Sequence, residues 1–301
     1  MVYTVTCNPA LDYVMFVPEL SPSGVHRAAR EMLTYGGKGI NVSAILTRLG
    51  VPTQALGFVA GFTGEKLKTL LRADGIPCDF VELAAGDTRI NVKIKAETEM
   101  DFNAAGPTVG EADVERLLEQ MDRLQPEDVL VLAGSVSENL PRDLYERMLV
   151  RLKGKSVRIV VDAEAALLRE TLPHRPFLIK PNHHELGEFF GKELTDLDAI
   201  VEHAHRLQEM GARNVLVSRA ADGAVLLDET GACHTVGTVA GEVVNSVGCG
   251  DSMVAGFLAG WLQTGDYAHA LRLGAACGSA TAFSPLLATK AEIDRCLQVL
   301  K

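Results

Sequence analysis

The sequence predicts an α/β fold in which a mostly parallel sheet lies between layers of helices and a small second sheet stands outside it. Three observations lead there. Short β-branched runs alternate with longer segments of helical period, an order that implies parallel strands joined by crossover helices. Several runs are apolar at every position, as strands covered on both faces require. A few pieces instead alternate apolar and polar residues, the period of a strand with one wet face. With 301 residues, 47% of them hydrophobic and 23% charged, the chain is an ordinary globular one with enough length to bury a full core.

In chain order, 2–6 reads as a buried first strand. Residues 39–49 read as a helix with Ile40, Ala44, Ile45 and Leu49 along one side. Residues 54–58 and 64–73 repeat strand and helix. A strand at 128–133 enters a turn at Gly134-Ser135, another at 157–161 ends at Asp162, and a short one at 177–179 ends at Lys180-Pro181-Asn182. The amphipathic helix 197–210 precedes a strand at 214–218, and 253–262 is an apolar helical run. The stretches 13–17 and 25–33, separated by Pro18 and the turn signals from Ser21 to Gly24, break this rhythm. So does 89–95, where Ile90, Val92 and Ile94 alternate with Asn91, Lys93 and Lys95, with 100–103 as its hairpin partner. These pieces, within about 13–34 and 88–104, read as a lid inserted into one domain spanning 1–301; an edge extension or a dimer surface fits the same pattern.

Asp and Glu number 39 against 29 Lys and Arg, a formal charge of −10, which argues against nucleic acid or an anionic membrane as the partner. A small anion held in a locally basic pocket stays open. The six cysteines are scattered, with no C-x-x-C pair, and read as reduced thiols. Residues 1–7 lack the basic-then-apolar pattern of a leader, and the longest greasy run is about half of the ~20 residues a membrane span needs. A cytoplasmic setting is expected, in which the sequon at Asn41 carries no sugar.

Four segments carry candidate chemistry. In Asn245-Ser246-Val247-Gly248-Cys249-Gly250-Asp251-Ser252, two glycines turn the backbone sharply into a helix start, exposing unpaired N–H groups as an anion site. Asp251 lies in the first turn, where a carboxylate can accept the proton of an attacking hydroxyl during phosphoryl transfer, or simply favour the helix dipole. Gly36-Gly37-Lys38-Gly39-Ile40-Asn41 opens another helix; it is not a Walker A loop, because Gly39 stands where Ser or Thr must follow Gly-Lys. Asn8-Pro9-Ala10-Leu11-Asp12 follows the first strand and offers an amide and a carboxylate for sugar hydroxyls, or an ordinary turn. In Lys180-Pro181-Asn182-His183-His184-Glu185, Glu185 either helps to hold Mg²⁺ through water or completes a capping box with Asn182. The pair His184-Glu185 is not a zincin motif, since Glu188 stands where the second His is required.

Together these segments resemble one family. The stretches GGKGINVSAILTRLG (36–50) and NSVGCGDSMVAG (245–256) resemble the two signature motifs of the ribokinase-like sugar kinases, the PfkB family, and the likeness extends over essentially the whole chain. The N-P-A-L-D start, the form G-G-K-G-I-N and the stretch T-R-I-N-V-K (88–93) look like the phosphosugar kinases: 1-phosphofructokinases, tagatose-6-phosphate kinases and minor 6-phosphofructokinases. Lys38 fits the first two, and the stretch 277–283 the first.

The resemblance implies a three-layer ribokinase-like fold with a β-sheet lid, and ATP- and Mg²⁺-dependent phosphorylation of fructose 1-phosphate at its C6 hydroxyl. It implies Asp251 as catalytic base, with Gly248, Cys249 and Gly250 as anion hole. Asp12, Gly37, Lys38, Asn41, Arg89, Asn103 and Ser135 would contact the sugar phosphate. Lys180, Asn182, Ser218, Arg219, Ala220, Ala221, Asp222, Gly223, Gly250 and Ser279 would hold the nucleotide, and Glu185 the metal indirectly. Relatives are often dimers paired through the lid. Arg219-Ala220, His184 and the segment from Val136 to Asn139 depart from the family pattern. A sugar-phosphate-binding regulator that kept the fold and lost catalysis is the non-enzyme alternative, against which the retained Asp251 speaks.

Overall fold

The structure, a computed structural model, describes every residue except 22, 137, 138 and 301, so Ser137 and Glu138 of the departing segment lie outside the described residues. The chain begins with β1 (Val2–Thr6), then crosses into the accessory sheet through β2 (Ala10–Phe16) and β3 (Arg30–Gly36). It returns by α1 (Lys38–Arg48) to β4 (Thr53–Ala60), α2 (Gly61–Ala73) and β5 (Val81–Leu83), and leaves again through β6 (Arg89–Lys95) and β7 (Met100–Phe102). The second half runs α3 (Glu111–Asp122), β8 (Val129–Ala133), α4 (Leu144–Arg151), β9 (Arg158–Asp162), α5 (Ala165–Thr171), β10 (Leu178–Ile179), α6 (His183–Phe190), α7 (Leu197–Glu209) and β11 (Asn214–Ser218). It closes with the hairpin β12 (Ala224–Leu227) and β13 (Cys233–Val236), then α8 (Cys249–Thr264), α9 (Tyr267–Ala282) and α10 (Lys290–Val299).

The main sheet has the order β13-β12-β11-β10-β9-β8-β1-β4-β5, parallel except for the β12–β13 hairpin at one edge. Along β8 the side chains alternate between two cores. Leu130 and Leu132 face the cluster formed with α3 to α7, while Val129, Val131 and Ala133 face the one formed with α1, α8, α9 and α10. That partition is why the strand is apolar throughout. β1 pairs with β4 on one side and β8 on the other, so the chain order reverses there. Ligands bind at the carboxyl edge of such a switch point, and Thr6, Gly134, Asp162, Lys180 and Ser218 all stand at the strand ends along that edge.

The accessory sheet, order β3-β2-β6-β7, begins earlier than the sequence pattern predicts. β2 absorbs Ala10, Leu11 and Asp12, because β3 pairs with it along its whole length, from Ala10↔Gly36 to Phe16↔Arg30. Asp12 is therefore a strand residue rather than part of a turn, and 25–29 lie outside any strand. One face of β2 and β6 carries Asp12, Val14, Phe16, Asn91, Lys93 and Lys95; the apolar residues Ile90, Val92 and Ile94 face the other way. The usual amphipathic order is thus inverted: Asn91 is buried and Ile90 is 40% exposed. The lid presents its polar face to the main body.

Candidate active site

Four helices, α6, α7, α9 and α10, start on a side chain that closes their first N–H groups: Asn182, Asp196, Asp266 and Thr289. The two glycine motifs do the opposite. α1 starts on Gly37 at φ 128° and α8 on Gly248 at φ 80°, without a side-chain cap. Only glycine takes those angles without strain; at α8 the N–H groups of the first turn stay open for an anion, whereas at α1 Ile40 N donates to Thr6 Oγ1 at 3.0 Å. At Gly37 a Cβ would also lie 2.6 Å from Thr6 Cγ2, and at Gly39 2.7 Å from Thr6 Oγ1. The loop needs its small residues to lie against β1.

Asp251, in the first turn of α8, is 5% exposed and accepts a 2.8 Å hydrogen bond from Asn41 Nδ2 of α1. Burial, reinforced by the Asp162 carboxylate, pushes its carboxyl up to about 6, against the pull of Lys38, Asn41 and Lys180. Asp162, at the end of β9, is buried too, and its Oδ1 lies 3.3 Å from Lys38 Nζ and 3.4 Å from Lys180 Nζ. Burial works against that charge, but the two ammonium groups outweigh it and hold the carboxyl below its ordinary range. Two carboxylates in one site are thus driven in opposite directions, the pattern expected where one must take up a proton and the other must not.

Two cavities meet at the entrance to α8. The first, about 270 Å³, is roofed by the polar face of the lid (Asp12, Lys93, Lys95) and floored by Asn41, Asn245 and Val247. The second, about 780 Å³ and mostly apolar, takes Ser246, Cys249 and Gly250 from the same turn, with Asn182, Ser218 and Gly278 around it. Residues 245–250 therefore form the partition between the two. Burial and the nearby Asp251 push the Cys249 thiol up to about 11, which disfavours the thiolate form.

Residues 6–293 match the model of the pfkB family carbohydrate kinases. The chain belongs to that family. It is 45% identical over 301 residues to a 1-phosphofructokinase of Bacillus subtilis (strain 168), covering 100% of this chain and 99% of that one. It is 34% identical to a D-tagatose-1-phosphate kinase of Bacillus licheniformis, covering 98% and 97% of the two chains. A crystal structure of phosphofructokinase-2 from Escherichia coli in complex with substrates and products superposes with a TM-score of 0.92, at 28% identity and 99% and 98% coverage. The protein is accordingly an ATP-using kinase that phosphorylates a sugar hydroxyl, and it has the three-layer fold with its small lid sheet.

In this kinase the residues singled out by sequence divide unevenly between the cavities. Asp12 and Asn41 line the first, whereas Gly37, Lys38, Arg89, Asn103 and Ser135 do not. Lys38 turns to Asp162, and Arg89 donates to the carbonyls of Asn8, at 3.1 Å, and Ala104. Asn103 is exposed beyond β7. Asn182, Ser218, Ala220, Ala221, Gly223, Gly250 and Ser279 line the second cavity; Lys180, Arg219 and Asp222 do not, Lys180 being engaged with Asp162. Asn182 and Glu185 form the capping box, with Glu185 Oε2 accepting from Asn182 N at 2.8 Å.

Sequence reasoning passed over two residues. Lys93 stands in the sequence only among the polar residues of an alternating strand, yet its side chain is only 13% exposed, 4.0 Å from Asp12 and 3.1 Å from Asp101. Its strand carries its polar side inward, which periodicity alone does not reveal. Asp162 appears in the sequence only as the residue closing a strand; a charge immediately after an apolar run, at the ligand-binding edge, was its signal. Lys93→Met is expected to raise KM for a sugar phosphate by about 10- to 100-fold, the loss of a charge-assisted phosphate contact, with KM for ATP unchanged; steady-state kinetics in both substrates check it.

Proposed function

We propose that this kinase transfers the γ-phosphoryl group of ATP to the C6 hydroxyl of fructose 1-phosphate, giving fructose 1,6-bisphosphate and ADP. The observation that carries the reading is the position of Asp251 beside the partition between a lysine-roofed cavity and a larger apolar one. The sugar phosphate occupies the first, its phosphate toward Lys93 and Lys95 and its free hydroxyl toward Asp251. ATP occupies the second. Asp251 takes the hydroxyl proton, the C6 oxygen bonds to the γ-phosphorus, and the bond to the β–γ bridging oxygen breaks. The open N–H groups of Gly248, Cys249 and Gly250 receive the charge that develops on the transferred group. Lys38 and Lys180, tied to Asp162, add positive field nearby, and Arg89 holds the lid strand to the loop after β1.

Mg²⁺ fits this arrangement. Among the described residues no group of three or more His, Cys, Asp or Glu is placed to hold a metal by protein ligands alone. That suits an ion bound mainly through substrate phosphates and water. Glu185, within the field of Lys38 together with Asp162 and Asp251, would reach it through water, and Asp162 Oδ2 is buried without a protein partner. The ion supplies charge neutralisation on the phosphates.

We read the chain as one catalytic domain with the lid strands inserted, and place it in the cytoplasm on the strength of six free cysteines; among the described residues no helix is long and apolar enough to cross a membrane. The outward apolar face of the lid, with Ile90 and Phe102 40% and 56% exposed, supports a homodimer paired there, and light scattering should return twice the chain mass of 32.3 kDa.

A coupled ADP assay with fructose 1-phosphate, D-tagatose 1-phosphate, tagatose 6-phosphate, fructose 6-phosphate and fructose tests the substrate. The highest kcat/KM is expected for fructose 1-phosphate; a higher value for any other sugar overturns the choice of substrate and keeps the enzyme class. Tight binding of a sugar phosphate with no ADP formed would revive the regulator.

A further inference from the structure

Arg48 closes α1 near the end of the first signature stretch, remote in sequence from the α8 turn, and the sequence reading gives it no role. Its Nη1 donates to the carbonyls of Leu287 and Ala288, at 2.7 and 2.8 Å. These belong to the segment that joins α9 to α10. That segment is also held from beneath: Ala288 N donates to Thr281 Oγ1, and Thr281 shares a 2.8 Å hydroxyl pair with Ser252, the residue after Asp251. The side chain of Leu287 packs directly on Gly248, where a Cβ would sit 2.6 Å from Leu287 Cδ2. On its other side Arg48 Nη2 lies 3.9 Å from the Asp74 carboxylate and 3.5 Å from Tyr35 Oη, and Tyr35, on lid strand β3, donates to Asp74 at 2.8 Å.

One guanidinium thus joins the lid strand to the segment that presses on the first glycine of the anion hole. We infer that Arg48 is a positioning residue for phosphoryl transfer: it fixes the 284–289 segment so that Leu287 holds the Gly248 turn, and it ties that turn to the lid. The inference rests on the anion-hole reading of Gly248 to Gly250. The physical reason is that a left-handed glycine at a helix start has no side chain of its own to fix its angles, so the wall against it must do so. A shift of about 1 Å in donors that meet the transferred group costs up to about 100-fold in rate. Arg resists such a shift better than Lys, because Nη1 holds both carbonyls while Nη2 faces Tyr35 and Asp74, a span that a single ammonium does not cover.

The test is Arg48→Met, which keeps the aliphatic stem, beside Arg48→Lys and Leu287→Ala. Expected for Arg48→Met is a fall in kcat of about tenfold or more with ATP affinity, measured by titration calorimetry, unchanged. Leu287→Ala should act in the same direction without touching the guanidinium, and Arg48→Lys should recover part of the loss. The double variant Arg48→Met with Leu287→Ala should be no slower than the worse single one, since both act through one contact. A wild-type kcat in Arg48→Met alongside a lowered melting temperature, or strictly multiplicative losses in the double variant, overturns the inference. If Arg48→Met does not fold, a wild-type kcat in Leu287→Ala overturns it equally. Failure of the underlying reading is a separate result: wild-type protein that makes no ADP from any sugar phosphate.

Discussion

Asp251→Asn is expected to lower kcat by about 10²–10⁴-fold while leaving ATP binding intact, and at the same time to raise the stability of the fold near neutral pH. The first effect follows from the loss of the carboxylate, hydrogen-bonded by Asn41, that takes up the hydroxyl proton in the proposed reaction. The second follows from the same burial that tunes it. The carboxyl is pushed up to about 6 in the folded chain, against about 3.9 when unfolded. A group raised on folding gives its full contribution below the unfolded value and loses it as the pH climbs through the folded one. Above about pH 6 the wild type therefore carries a buried charge at a cost that reaches about 3 kcal/mol, and the neutral amide does not. Melting curves should show the variant ahead at pH 8 and its lead reduced at pH 5. The kcat of the wild type should fall on an acidic limb near pH 6. A variant that turns over at the wild-type rate removes Asp251 as base; one that melts below wild type at pH 8 shows that the surroundings favour the charge after all. Function at the expense of stability is common at such sites.

The parallel architecture is legible because both sheet faces are covered, so strands such as β8 carry no polar position to confuse the reading. The two glycine loops are legible for a related reason: glycine is required where α1 and α8 begin. What escapes is direction. Alternation in β6 tells that one face is apolar but not which face meets the body, and the intuitive choice puts Lys93 in solvent when it roofs a cavity. Edge and connecting elements, such as the β12–β13 hairpin and the 284–289 segment, also leave little trace, since their positions depend on partners far along the chain. Capping adds another ambiguity. Asn182 and Glu185 satisfy a helix start completely, so the same two residues explain themselves structurally whether or not phosphate and metal lie beside them.

Asp162→Asn carries the other large expected effect, and it separates the two carboxylates. In the wild type Asp162 Oδ1 compensates two ammonium groups, one of them, Lys180, only 5% exposed. Removing one partner of a buried pair leaves an uncompensated charge, at about 3–5 kcal/mol; denaturant titration at pH 7 should return a loss of that order. The carboxyl is held below its ordinary range, so its contribution is complete at pH 7 and disappears only in strong acid, as the pH falls through the folded value. The kinetic consequence runs through Asp251. The Asp162 charge raises that carboxyl, and Lys38 and Lys180 lower it. With Asp162 neutral, the lysines act on Asp251 alone, so the acidic limb of the kcat profile should move below about pH 6, measured on whatever activity the folded variant retains. A limb that stays in place would mean that burial alone sets the Asp251 proton affinity. A limb that moves makes Asp162 the residue that offsets Lys38 and Lys180 and keeps the Asp251 carboxylate basic enough to act near neutrality.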